Sequence, residues 1–493
     1  MITRRHLIST AALATVAGLG KAVAAPPAAG LQSGNGPPTG SSAAPAAPPG
    51  LGAPESLRGK VFFKGDARYE PLRQAATWNA RKPNRFPNAI VLPQNEADVV
   101  AAVKLAKERG WQVSARSGGH SWSASHTRDN SVQINLARMQ QIDVDVPAGI
   151  VKISPAVSGN VLNKILREKH ELFTPSAHGF NVGMGGFVMA GGHGWNSRVF
   201  GLGCENLQAL DVVTADGELL HASETTNSDY LWAARGSGPG YFGVATRYYL
   251  KVHPRPRVMK QNGYVYGAAE LEPLIHWLRA TMPAFPRSLE VVLIIQAAKG
   301  SPTITMIATC LDNSEETVKA ALAIMEGCPV VSKALSKWAN VDVIVPMDAE
   351  PANEGQPTGA RCAVDNIWTN APATELVPLL RGLMADFPTP QSHIFWQCWG
   401  PIRKIPDMAY SVQADVFIAI NAVYYDPADD ARCGAWAVDS AKRLDKISIG
   451  AQMNDENTEH HPARYLSDDA AKRLEAMRQK YDPRRRFPGF LRG

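Results

Sequence analysis

With 493 residues, 45% hydrophobic and 19% charged, and with 41 Gly and 36 Pro, the chain has the composition of a loop-rich globular enzyme of two or three folding units, which excludes a disordered chain and a helical bundle. Its formal charge of +6 comes from scattered basic residues and forms no stripe suited to nucleic acid. The six cysteines (Cys204, Cys310, Cys328, Cys362, Cys398 and Cys433) show neither CxxC nor a Cys/His metal spacing, so no metal is expected; in an exported protein one or two pairs are open to oxidation.

Residues 1–25 read as a signal peptide. Arg4 and Arg5 precede a small, apolar run over 11–19, and Ala22-Val23-Ala24 stand before Ala25. The paired arginines indicate the twin-arginine route, which carries proteins already folded around a cofactor, so export to the periplasm or beyond is expected. The apolar run is shorter than the ~20 residues a bilayer span needs, and no later segment qualifies, so no stable membrane anchor is expected. Residues 26–56 are Pro, Ala, Gly and Ser with almost no charge, the composition of a linker, and the folded body starts near Leu57.

Beyond the linker the pattern is α/β. Residues 89–92 predict a short strand, 97–108 an amphipathic helix and 111–115 a second strand, which delivers Arg116-Ser117-Gly118-Gly119-His120-Ser121-Trp122 into a tight turn. A second glycine cluster covers Gly179, Val182, Gly183, Gly185, Gly186, Gly191, Gly192, His193 and Gly194. Turns of this kind present backbone N–H groups to a pyrophosphate, yet no βαβ unit with a following acidic residue makes this a Rossmann fingerprint. Two strands joined at Asp216-Gly217 follow as a hairpin, and a third glycine loop runs into Phe242, Gly243 and Val244.

The ordered set RSGGHSW (116–122), VGMGGFVMAGGHGW (182–195), SRVFGLGCENLQALDVVTADG (197–217) and LWAARGSGPGYFGVATRYYLKVHP (231–254) resembles the FAD domain of vanillyl-alcohol oxidase-type flavoproteins, in the berberine bridge enzyme-like branch. That resemblance implies an α+β fold: a PCMH-type two-subdomain FAD-binding domain over 57–255, an antiparallel-sheet substrate domain backed by helices over 256–445, and a C-terminal segment, 446–493, returning to the FAD domain. FAD is the implied cofactor, held by the glycine-loop residues named above, with His120 in the position that bonds the flavin 8-methyl carbon. Many members attach the flavin a second time through a Cys; Gly179 occupies that place here, so a single bond is implied. Val182 falls where a small apolar residue accompanies oxygen access, which favours an oxidase.

Strand-like runs and helices alternate from 258 to 445, and Phe395, Trp396, Trp399 and Tyr410 form an aromatic group readable as core or as the wall of a pocket. Near the end, Gln452-Met453-Asn454 stands where family members carry a Tyr two residues before an Asn, and Gln is no base. The role of base is therefore open among His178, Tyr424, Tyr425, Glu456 and His460, and His178 is equally readable as a surface or supporting residue. Arg484, Arg485 and Arg486 read as a solvated tail or an anchoring segment. The expected reaction moves a hydride from an alcohol, sugar or secondary-metabolite carbon to the flavin and on to oxygen. A dehydrogenase with another acceptor and a non-catalytic flavin-binding protein are the alternatives.

Overall fold

The computed structural model describes residues 54–179, 181–194, 197–297, 301–342 and 359–491; the expected signal peptide, and the expected linker up to residue 53, lie outside them. The first sheet holds β1 (Val61–Phe63), β2 (Ala89–Val91), β3 (Gln112–Arg116) and β4 (Ser131–Asn135) in the order β1-β2-β4-β3. β2, β4 and β3 run parallel, and the helix Glu96–Arg109 makes the crossover from β2 to β3. Asn95 starts that helix by accepting from the Asp98 N–H, and Gly110, at φ 66°, ends it in the left-handed region.

The second sheet is antiparallel, in the order β5 (Ile142–Asp145), β6 (Ile150–Ile153), β10 (Val244–Lys251), β8 (Leu207–Val213) and β9 (Leu219–Ser223). β8 and β9 are the hairpin expected around Asp216-Gly217. A short pair, β7 (Leu172–Phe173) with β11 (His253–Pro254), forms a separate two-stranded sheet. The first two sheets share one apolar core, and the helix Asp468–Tyr481 adds Leu474 and Met477 to it. The chain end is tied down as well: Val113 N–H donates to Arg486 O, and the buried Arg486 guanidinium donates to the Ala215 and Trp111 carbonyls. Of the two readings of the arginine run, Arg486 therefore follows the anchoring one.

The third sheet has seven antiparallel strands in the order β15 (Ser336–Asp342), β12 (Val258–Gly267), β14 (Thr303–Asp312), β13 (Leu289–Gln296), β17 (His393–Cys398), β18 (Val416–Tyr424) and β16 (Arg361–Thr369). Side chains alternate across a strand. Leu289, Val291, Leu293 and Ile295 of β13, with Ile394, Trp396 and Cys398 of β17, pack into a second core beneath helices that include Leu271–Thr281, Ala373–Met384 and Asp430–Leu444. Glu290, Val292 and Ile294, with His393, Phe395 and Gln397, point the other way, towards the first two sheets. All six cysteines are buried, and no two are bonded to each other in this structure. Among the described residues no helix is long and apolar enough to cross a membrane, and no cluster of His, Cys, Asp or Glu is arranged to hold a metal ion.

Candidate active site

The free face of the seven-stranded sheet and the glycine loops of the first two sheets enclose one cavity of about 600 Å³. Its floor is made of backbone. Gly119 has φ 77°, and a Cβ there would lie 2.3 Å from the Ala76 carbonyl oxygen. Gly118 and Gly183 meet backbone to backbone, a Cβ on Gly118 falling 2.5 Å from Gly183 N. The two glycine loops, more than 60 residues apart in the chain, thus fit only without side chains at their contact. Arg116 lines the cavity but spends its guanidinium on the loop, donating to Ala76 O (3.1 Å), Gly118 O (2.9 Å) and Asn135 Oδ1 (3.3 Å). Ser117 Oγ accepts from Gly186 N–H at 3.3 Å.

His120 stands on the wall of this cavity with its ring stacked on Trp78, centroids 5.7 Å apart and planes 20° apart. Burial, reinforced by the Arg116 charge and opposed by a hydrogen bond to the Asn181 backbone, pushes its pKa down to about 4. The imidazole is therefore neutral at ordinary pH, the form with a nucleophilic lone pair. Trp122 lies edge-on to Trp78 and donates to Asp455 Oδ1 at 2.7 Å, while Ser121 donates to Glu456 Oε1 at 3.0 Å. Burial raises both carboxyls, Asp455 to about 6 and Glu456 to about 7, against the donors that lower them. The His120 loop is thereby docked onto the segment 452–456, which Asn366 of β16 holds by accepting from Gln452 N–H (2.6 Å) and donating to the Gln452 and Asp455 carbonyls.

His178 and Gly179 line the opposite part of the cavity with Val182, toward which a side chain at 179 would project, its Cβ 3.3 Å from Val182 Cγ2. His178 Nε2 lies 2.5 Å from Oε1 of Glu290, a buried carboxyl on β13 that also accepts from Gln397 Nε2 at 3.4 Å. Of the five residues open for the role of base, His178 and Glu456 line the cavity; Tyr424 is buried beneath the sheet, Tyr425 is 46% exposed and His460 lies outside the lining.

His193 lines the cavity inside an aromatic cage, 5.1 Å from Trp368, 4.7 Å from Trp399 and 5.5 Å from Tyr410 between ring centroids. Burial lowers its pKa to about 3. The Gln452 amide donates to Nδ1 at 3.2 Å, leaving Nε2 protonated beside the Tyr410 hydroxyl at 3.0 Å. The expected aromatic group is thus divided: Phe395 lines the cavity, Trp396 belongs to the helix-covered core, and Trp399 and Tyr410 cage His193.

Asn454, Gly185, Gly186 and Gly243 also line the cavity; five residues expected at the cofactor do not. Gly191, Gly192 and Gly194 are small because protein packs on them: the Tyr410 ring, the Gly203 backbone and the Ser176 carbonyl stand where their Cβ atoms would be. Phe242 is fully buried, stacked on Tyr481 at 5.6 Å and 9°, and Val244 lies in the β10 core. The residues missed altogether are Glu290, Gln397, Gln261, Thr309, His393 and Asn421, polar side chains on the cavity face of the large sheet. The available signal was a polar residue inside an apolar strand, as at Glu290 of LEVVLIIQ.

Three buried polar atoms on the cavity wall, Ser114 Oγ, Tyr241 OH and Gln452 Oε1, have no partner among the described residues. Unpaired acceptors and donors beside a glycine floor and a neutral histidine fit a large cofactor that carries both polar groups and a ring system. Fold and site together define an α+β protein with a cavity suited to a large cofactor between a backbone-built floor and a sheet.

The comparisons give the family. A model described as an FAD binding domain matches residues 87–223. FAD-linked oxidoreductase nodO of Hypoxylon pulicicidum is 31% identical over 431 residues, 86% of this chain and 94% of that protein. Among solved structures, 6-hydroxy-D-nicotine oxidase of Arthrobacter nicotinovorans superposes with a TM-score of 0.78 at 21% identity, covering 89% of this chain and 98% of that one. BBE-like 1 of Physcomitrella patens gives 0.75 at 18% identity, over 88% and 96%. The chain belongs to the FAD-linked oxidoreductases, its cofactor is FAD, and its fold is the one seen in 6-hydroxy-D-nicotine oxidase and BBE-like 1.

Proposed function

We propose that this oxidoreductase withdraws a hydride from a substrate carbon bearing an oxygen or nitrogen substituent, that His120 carries the flavin covalently, and that oxygen receives the electrons. The observation that carries the reading is the contact of His178 with Glu290 at 2.5 Å, an ionisable pair formed across the cavity between the loop before Gly179 and the sheet. Bound FAD supplies a two-electron acceptor. Glu290 accepts from His178 Nε2, so the two side chains act as one ionisable pair facing the substrate space. As the C–H bond gives up its hydride, the substrate O–H or N–H gives its proton to the His178–Glu290 pair, and a carbonyl or imine remains. The small Val182 beside Gly179 supports oxygen access.

The test is anaerobic bleaching of the flavin in wild type and Glu290→Gln. General-base work of this kind is worth ~10²–10⁴-fold, so the variant, with its visible spectrum intact, should bleach at least about 100-fold more slowly; an unchanged rate overturns the assignment. For the linkage, protein is acid-precipitated before its spectrum is read. Yellow retained in the wild-type pellet and lost to the supernatant in His120→Ala is expected, and free FAD from the wild type removes the covalent bond.

A further inference from the structure

The cavity face of the large sheet is polar at its two ends and apolar between them. At one end stand Glu290 and His178, with Gln397 donating to the carboxyl and Thr309 and Gln261, themselves hydrogen-bonded, continuing the row from Glu290. At the other, His393 and Asn421 are paired across β17 and β18. Between them lies a row in which Ile294, Phe395 and Ala419 sit side by side, Ile294 opposite Phe395 and Phe395 opposite Ala419. From Gln397 to His393 the strand advances four residues, about 13 Å at ~3.3 Å per residue.

From this spacing, and resting on the hydride-transfer reading above, we propose that the substrate is an elongated, rigid, mainly apolar ring compound with one polar group at each end. The reacting O–H or N–H meets His178, the rings lie along Ile294 and Phe395, and the far polar group meets His393 and Asn421. A sugar is disfavoured by the same arrangement. Hydroxyls laid on Ile294, Phe395 and Ala419 give up hydrogen bonds to water and find no replacement, which costs binding.

The probes are estradiol, its analogue without the phenolic hydroxyl, and cellobiose, each titrated anaerobically into the FAD-loaded enzyme. Binding is read from the perturbed flavin band and turnover from its bleaching. Estradiol should bind at least about tenfold more tightly than cellobiose. Loss of its phenolic hydroxyl should weaken binding about fivefold in wild type and less than twofold in Asn421→Leu. Equal or tighter binding of cellobiose overturns the proposal, as does an Asn421→Leu variant that weakens both steroids alike. The wild-type comparison stands even where the variant fails to fold. The two readings fail separately: steroid binding in this order without bleaching by any compound counts against hydride transfer and supports the substrate shape, whereas bleaching by tightly bound cellobiose does the reverse.

Discussion

The two walls of the active-site cavity are built by different means. On the FAD-domain side the wall is backbone, with Gly118 and Gly183 in contact and Gly119 at φ 77° over the Ala76 carbonyl. On the sheet side it is side chains, every second residue of β13, β17 and β18, set on a scaffold whose other face is an apolar core. A backbone wall tolerates almost no added atom where loops meet. A side-chain wall tolerates substitution and so can be retuned to a substrate. In the proposed reading the first wall holds the cofactor and the second recognises the substrate.

The largest expected effect breaks the first wall at its tightest contact. Gly118→Ala puts a methyl 2.5 Å from Gly183 N, and neither neighbour is a flexible side-chain end that can swing aside. Overpacking of this severity costs about 3 kcal/mol or more. The urea midpoint and the flavin absorbance per protein should fall together; a variant with wild-type values for both would show that the loops are not held against each other as described.

An effect of intermediate size follows from protonation. His120, His126 and His193 are held neutral on the FAD-domain side, burial lowering their pKa values from 6.5 to about 4, 3 and 3. The folded state therefore binds fewer protons than the unfolded one below pH 6.5, and stability present above that pH is lost as pH falls towards 3. Glu456 has the opposite sign: raised from 4.5 to about 7, it contributes stability that is full below 4.5 and is lost as pH rises to 7. Asp455, raised from 3.8 to about 6, acts in the same sense as Glu456, so three histidines oppose two carboxyls between pH 4.5 and 6 and only Asp455 between 3.8 and 4.5. Urea midpoints measured from pH 7 to pH 4 should fall gently and then steeply, and His126→Gln should flatten the steep part. A variant with an unchanged profile would show that His126 binds its proton equally in both states.

The same contrast explains what was legible in the sequence. The glycine loops, His120 and the Asp216-Gly217 hairpin were readable because a backbone-built feature requires particular residue types in consecutive positions. Glu290 was not. With both faces of β13 largely buried, LEVVLIIQ has no apolar/polar alternation to say which residues face the cavity, and its partner His178 is 112 residues away. Gly191 failed in the other direction: it looks like its neighbours in the glycine cluster, but its need for smallness comes from the ring of Tyr410, supplied by a distant segment. Chain-distant packing leaves no local mark, and a glycine alone does not say whether a ligand or the protein itself approaches it.

The smallest effect is the sharpest test of that ambiguity. Gly186 belongs to the same cluster and lines the same cavity, but a Cβ there meets nothing within 4 Å. It lies within the helix Met184–Met189, where alanine is preferred to glycine by roughly 0.5–1 kcal/mol. Gly186→Ala should therefore leave the flavin-free protein as stable as wild type or more stable by up to about 1 kcal/mol, in contrast to Gly118→Ala. Its methyl group enters space that the cofactor would fill, so the FAD-loaded form should lose part of its thermal shift over the flavin-free form. If Gly186→Ala instead keeps the full shift, the position faces open cavity away from the cofactor, and the backbone wall that holds FAD ends before the first turn of that helix.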